Sequence, residues 1–501
     1  MTWVRSLTVF WIGVLAAIQP VGAQTAGPSP AEARRIAAET PFVDNPEGAG
    51  GDPQTAVAQP EASAKPSANL TTSIQELFGR RGDPGGMRAY LLKHGISYSF
   101  TYIGEVLGAA SGGMRRGGVY DGRLDVQADA DLEKLLGWRG ASIHANLYQI
   151  HGTGLSRYYV GNMLTVSGVE ALPSTRLYEL WFEQKFFSDT LSIRVGQLAA
   201  DTEFAVSQTG TLFVNGTFGW PGILAANLPA GGPAYPLATP GVRAKYTPDK
   251  NFSLQIGLFN GDPAGVSRLN ADPQRLNRTG TNFRIGDPAL IIAEAAYAYG
   301  LGGQDKVKPG TVTVGGWTHF GRFNDLCPGE PGMLLLGAPA DVGPARARRG
   351  DSGVYAMIDQ TIYREARDPN DGASAFVRVA VSPSDRNLVD LYVDAGVSYK
   401  GLLRGRSDDT VGVGFAFARI SRDARDLDTD AILLSRQAGP RRSSEAVLEF
   451  TYQAVLAPGV TVQPDFQYVF RPGGGVANPR NPTGARIRNA AIFGLRAAIR
   501  Y

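Results

Sequence analysis

Residues Arg176 to Leu198 read RLYELWFEQKFFSDTLSIRVGQL. Successive side chains of an extended strand point to opposite faces. Tyr178, Leu180, Phe182 and Phe186 therefore share one side, and Glu179, Trp181, Glu183 and Lys185 the other. Ser188-Asp189 supplies a turn, after which Leu191, Ile193 and Val195 alternate with Ser192, Arg194 and Gly196. One hairpin of this kind would suit a soluble sheet. The constraint comes from its recurrence along the chain.

The same period of two runs through Arg123 to Asp131, Ser142 to Tyr148, Phe252 to Leu258, Val389 to Ser398, Glu445 to Gln453 and Phe493 to Tyr501. There are about 16 such segments of about 10 residues each, the dimensions of a transmembrane β-barrel. We place strands at 97–107, 119–131, 140–150, 176–187, 190–199, 241–248, 252–260, 289–300, 310–321, 353–364, 374–383, 389–400, 409–420, 443–455, 460–470 and 489–501. Connections at 132–139, 188–189, 249–251, 301–309, 365–373, 401–408 and 456–459 are short. Most of the alternate ones, at 151–175, 200–240, 261–288, 322–352, 421–442 and 471–488, are long. Short turns on one rim and long loops on the other are the outer-membrane pattern. The connections at 108–118 and 384–388 are shorter than the long rim calls for.

Lipid cannot satisfy exposed backbone donors and acceptors, so a spanning sheet must close on itself. The predicted fold class is all-β: a transmembrane antiparallel β-barrel with a short N-terminal helical segment. A soluble sandwich or β-solenoid would force the charged faces into a dry core, at high cost.

The N-terminus has the form of an export signal over residues 1–23. Arg5 precedes an apolar run from Leu7 to Ile18, and Val21-Gly22-Ala23 gives a small-residue cleavage site. Residues 24–72 are rich in Ala, Pro and Gly and read as a disordered tether. Residues 73–95 read as a short helical plug or cap broken at Gly82-Asp83-Pro84-Gly85-Gly86, and 96–501 as the barrel. Charge is nearly balanced, 49 Lys+Arg against 46 Asp+Glu, which argues against a nucleic-acid partner. Cys327 is the single cysteine, so no intramolecular disulfide or multi-cysteine metal cluster can form. No cofactor or metal site is expected.

Longer stretches resemble the carbohydrate-selective porins of the OprB type in Gram-negative outer membranes. The carriers are Leu77–Glu105, Asp131–Trp138, Leu180–Phe204, Phe218–Pro221, Gly257–Pro263, Phe466–Gly474 and Asn489–Tyr501. Pro84 departs from the family, which commonly carries Trp there. The resemblance implies 16 strands, passive sugar diffusion across the outer membrane, and an eyelet lined by charged and aromatic residues. Candidate pore-lining residues are Glu105, Arg123, Asp125, Glu179, Trp181, Glu183, Arg194, Asp201, Glu203 and Trp220. The loop from Ala200 to Pro240 is expected to narrow the lumen by analogy with general porins. A loop standing over the mouth is the alternative. Partners are then sugars or small polar solutes and outer-membrane lipid, with a monomer or trimer left open.

Two motifs point elsewhere. Gly350-Asp351-Ser352-Gly353 matches the surroundings of a serine-protease nucleophile, but no signature surrounds His94, His144, His151 or His319. Asp426, Asp428 and Asp430 begin like a calcium loop, yet Ala431 and Gln437 replace the required Gly and Glu. A barrel enzyme would need Ser, His and carboxylate at one rim. A structural or adhesion barrel would have its lumen blocked by packed side chains. The leader makes a direct prediction: mass spectrometry of the membrane-extracted protein gives Gln24 as the first residue, and an intact Met1 refutes export by this route.

Overall fold

The computed structural model describes residues 73–78, 81–265, 272–301, 307–326, 347–365, 371–435 and 439–501. The expected leader and tether, Cys327 and Gln437 lie outside these residues. Sixteen strands follow in order: β1 Ile96–Gly113, β2 Gly117–Asp131, β3 Ala141–Gly152, β4 Ser174–Phe186, β5 Leu191–Leu198, β6 Thr239–Tyr246, β7 Phe252–Asn260, β8 Ala289–Tyr299, β9 Gly310–Asn324, β10 Ala347–Arg364, β11 Gly372–Val381, β12 Val389–Lys400, β13 Thr410–Ile420, β14 Ser444–Ala457, β15 Val460–Phe470 and β16 Arg488–Arg500. Each pairs antiparallel with its sequence neighbours, and β1 pairs with β16 to close the barrel. Among the described residues no helix is long and apolar enough to cross a membrane.

The alternation sorts side chains as a bilayer demands. Leu180, Val195, Leu495 and Ile499 are exposed on the outer wall, whereas Glu183, Arg194 and Arg496 are buried inside. At the seam Glu105 and Arg496 are register partners, and Arg496 Nε donates to Glu105 Oε1 at 2.5 Å. Tyr501 joins the ladder too: its N–H donates to Phe100 O at 2.8 Å, and its carbonyl oxygen accepts Phe100 N at 3.0 Å.

Several expected boundaries move. β1 and β2 run on through 108–118 and turn at 114–116, so the short loop there is strand extending beyond the neighbouring rim. β10 begins at Ala347 rather than 353. A bulge lies where the β3 register jumps from Asn146↔Glu179 to Leu147↔Leu177. It places an extra residue in β4, so Tyr178 turns inward and is buried instead of sharing the outer face with Leu180.

Helices are short. α1 (Gln75–Phe78) and α2 (Met87–Lys93) lie in the N-terminal segment, α3 (Leu132–Leu136) in a short turn, α4 (Gly222–Asn227) and α5 (Pro273–Leu276) in long loops. α6 (Arg422–Ser435) occupies the loop after β13, which sequence reading left without structure. It overturns the calcium-loop geometry. Asp426 pairs with Arg441 at 2.9 Å and Asp428 with Arg442 at 2.7 Å, so both carboxylates tie the helix to the segment leading into β14. The N-terminal segment lies against the end of the closing strand: α2 buries no residue, Asp83 accepts Arg88 N at 2.8 Å, and the Arg88 guanidinium lies 5.1 Å from the Tyr501 ring.

The wall pattern carries a quantitative expectation. Leu495→Arg places a cation against hydrocarbon and should cost about 2–4 kcal/mol. Equilibrium unfolding of the barrel in lipid vesicles measures this; a loss below about 0.5 kcal/mol would put position 495 outside the bilayer midplane.

Candidate functional site

The inner wall does not simply face water. Two long loops, 153–173 after β3 and 199–238 after β5, fold into the barrel and are largely buried. The second touches strands around most of the circumference. Ala199 N donates to Glu179 on β4 (3.1 Å), Ala205 N to Glu294 on β8 (3.0 Å) and Thr209 N to Asp359 on β10 (3.0 Å). Val214 N and Asn215 N donate to Glu449 on β14 at 2.6 and 3.0 Å. Arg378 on β11 donates to the carbonyls of Thr217, Phe218 and Gly219 at 3.0–3.1 Å, and Gln463 on β15 to Leu212 O at 2.8 Å. A segment held from β4 to β15 must cross the lumen.

A buried loop carries backbone donors and acceptors that water cannot reach. Here charged wall residues satisfy them. Glu445 does the same for the first loop, accepting Met163 N and Leu164 N at 2.9 and 2.6 Å. Arg378 is itself neutralised by Asp394, with both side chains fully buried. Apolar packing completes the plug. Phe204, Phe213, Phe218, Trp220, Ile223 and Leu224 join Leu164 and Val166 and the wall residues Phe259, Phe376 and Tyr392 in one buried cluster. Phe213 seats against Gly396 and Gly414, where a Cβ would come within 2.7–2.8 Å of its ring.

A different surface remains on β2 to β6. Asp129 Oδ1 lies 2.7 Å from His144 Nδ1, and the His144 ring stacks on Trp181 with centroids 4.8 Å apart. The other neighbour of Trp181 is the Arg194 guanidinium, 3.7 Å from the ring centroid. Arg194 then pairs with Glu203 and, at 3.5 Å, with Glu183. Arg243 bridges the same two carboxylates at 3.1 Å each. Ser192 donates to Glu183 at 3.0 Å. Asp129 is half exposed and the side chains of Arg194, Glu183 and Glu203 are 9–12% exposed, so the ladder runs from open water to a nearly enclosed ion-pair square. Among the described residues, Trp181 Nε1, His144 Nε2, Arg194 Nε and Arg243 Nε have no hydrogen-bond partner.

The ten sequence-derived candidates divide. Trp181, Glu183, Arg194 and Glu203 meet in the ladder, with Glu179 beside them as a loop anchor. Asp201 is a second anchor, accepting Tyr178 Oη and Tyr235 N at 2.8 Å. Glu105 serves the seam, and Arg123 and Asp125 are buried on β2, with Arg123 4.3 Å from the Tyr148 ring. Two aromatic candidates do not offer a stacking face. Trp220 is 1% exposed and donates to Gly231 O at 2.9 Å inside the loop. Trp181 has His144 on its β3 side and Arg194 on its β5 side. Sequence reading missed Arg243, although its alternation with Val242 and Ala244 was available. The serine-protease motif is strand: Ser352 is on the exposed outer face, opposite Thr318.

The comparisons with known proteins agree with this architecture. The model of the carbohydrate-selective porin, OprB family, matches residues 115–501. Porin B of Pseudomonas aeruginosa is 24% identical over 441 residues, covering 82% of this chain and 90% of that protein. The high-pH structure of Pseudomonas putida OprB superposes with a TM-score of 0.72 at 23% identity, covering 88% of this chain and 100% of that one. The low-pH structure of the same protein gives 0.50 at 18% identity, covering 86% and 100%. With a closed 16-strand barrel, charged loop anchors inside it and a family match over most of its length, the chain belongs to the carbohydrate-selective OprB porins of the Gram-negative outer membrane.

Proposed function

We propose that sugars and similar small polar solutes cross this porin along the ladder from Asp129 to Arg243, by passive diffusion without covalent chemistry. The observation that carries the reading is the ion-pair square Arg194–Glu183–Arg243–Glu203, which joins the β4–β6 wall to the inner loop and keeps slight exposure. A solute entering a narrow place sheds water and needs replacement hydrogen bonds. Arginine supplies donors in a fixed fork and carboxylates supply acceptors, which together match vicinal hydroxyls. Trp181 then works as a spacer that holds His144 and Arg194 at fixed separation, not as a platform for the sugar ring.

Recognition by hydrogen bonds alone has a consequence for selectivity. The square carries two cations and two anions, so it neither attracts nor repels a neutral solute strongly. Removing one member uncovers net charge. Loop 199–238 supplies Glu203 and narrows the lumen by its bulk, in this reading.

Single-channel recordings in planar bilayers test it. Arg194→Ala should shift the channel towards cations and weaken sugar-dependent current block about fivefold, the equivalent of one hydrogen bond of about 1 kcal/mol. Trp220→Ala, a change inside the loop core, should alter conductance only by loosening the loop. Deleting residues 206–236 should raise conductance and abolish block. Unchanged selectivity and block in Arg194→Ala and in the deletion, in folded barrels, would place the path elsewhere.

A further inference from the structure

The outer wall dips across strands β8 to β11. Strands β8 to β11 there enclose a groove of about 610 Å³. Its floor is made of small residues in adjacent rows: Ala293 and Gly316 pair across β8 and β9, and Thr318 pairs with Ser352 across β9 and β10. Ile291 and Val354 form its sides. These residues face outward, since Leu290 and Ile292 beside them are buried inside. The wall just beyond is bulky again: Phe320 and Val314 are more than half exposed.

Above the groove stand two arginines. Arg322 on β9 and Arg349 on β10 are directly opposite register partners, and both are exposed. Like charges directly opposite across a sheet destabilise it. Neither has an ion-pair partner among the described residues. Arg348 provides the contrast. It immediately precedes Arg349, points the other way, and is neutralised by Asp325 at 2.9 Å and Asp385 at 3.0 Å. Arg322 lies four residues beyond Thr318, or about 13 Å along the strand. That is about 10 Å of depth once strand tilt is allowed for.

We propose that this face binds one phosphorylated lipid of the outer leaflet, its phosphate clamped by Arg322 and Arg349 and an acyl chain laid in the groove below. Charge complementarity selects an anion over a neutral headgroup, because paired guanidinium groups present forked donors that match phosphate oxygens. The small side chains select a flexible chain, which follows a shallow trough that a rigid ring would bridge. The long-loop rim places the arginines at the outer leaflet, where the anionic lipid is a phosphorylated glycolipid. The site lies on the opposite side of the wall from the ladder and leaves solute passage untouched.

The test is native mass spectrometry of the full-length protein in detergent, titrated with purified lipid A carrying two phosphates and with the same lipid dephosphorylated. The wild type should retain one phosphorylated lipid. Arg322→Ala/Arg349→Ala should weaken retention at least about tenfold, and Ala293→Phe, which fills the groove, should do the same. Arg488→Ala, at the same rim on β16, should leave it unchanged. Sugar block in the rim double variant should match the wild type, which also proves that it folds. Equal retention of the dephosphorylated lipid, or full retention by the rim double variant, overturns the proposal. So does an oligomer that dissociates in Ala293→Phe with lipid still bound, which would make the groove a contact between copies.

Discussion

Unpaired backbone polar groups are intolerable in hydrocarbon, and nearly as costly in a crowded lumen. The first part of that constraint closes the sheet. The β1–β16 seam is made by the same ladder as every other pair, with Glu105 and Arg496 facing each other across it and the terminal residue Tyr501 bonded to Phe100. The second part governs the interior. Once two loops turn inward, their amides and carbonyls need partners that water no longer supplies. Glu294, Asp359, Arg378, Glu445 and Glu449 supply them. The inner charges of this barrel therefore have two roles. Some hold loops, and a smaller set on β2 to β6 stays in reach of water.

That division explains what the sequence could and could not reveal. Period-two alternation is a local property, so strand positions and facing were legible from Leu124, Leu180 or Leu495 and their polar neighbours. The family resemblance was legible too, since its motifs are contiguous. The role of each inward charge was not. Glu449 and Arg194 look alike as polar residues on a barrel strand, but one meets Val214 N and the other a carboxylate square. Nothing within a few residues of either distinguishes them. The bulge at Tyr178 was hidden for a similar reason: it is a property of the pairing with β3, not of β4. Trp220 stood out as a candidate because tryptophan in a pore loop reads as a binding platform, whereas the loop needed a large apolar residue for its own core.

The interior resembles a small globular core enclosed by a membrane protein. Phenylalanine rings of loop 199–238 settle on wall glycines, so shape as well as charge fixes the loop. Close packing of this kind makes the loop a rigid insert. A rigid insert holds the ion-pair square at constant spacing, which is what hydrogen-bond recognition of a hydroxyl pattern requires.

The anchors also impose an order on assembly. Val214 bonds to a glutamate 235 positions later, and Met163 to one 282 positions later. Loops from the first half of the chain cannot settle until strands from the last quarter are in place. Contacts so distant in sequence form slowly. A nascent barrel still lacking β14 and β15 is thus both unsealed at its edge and ungated at its centre. The inner loops therefore reach their final anchors only with the strands that complete the wall.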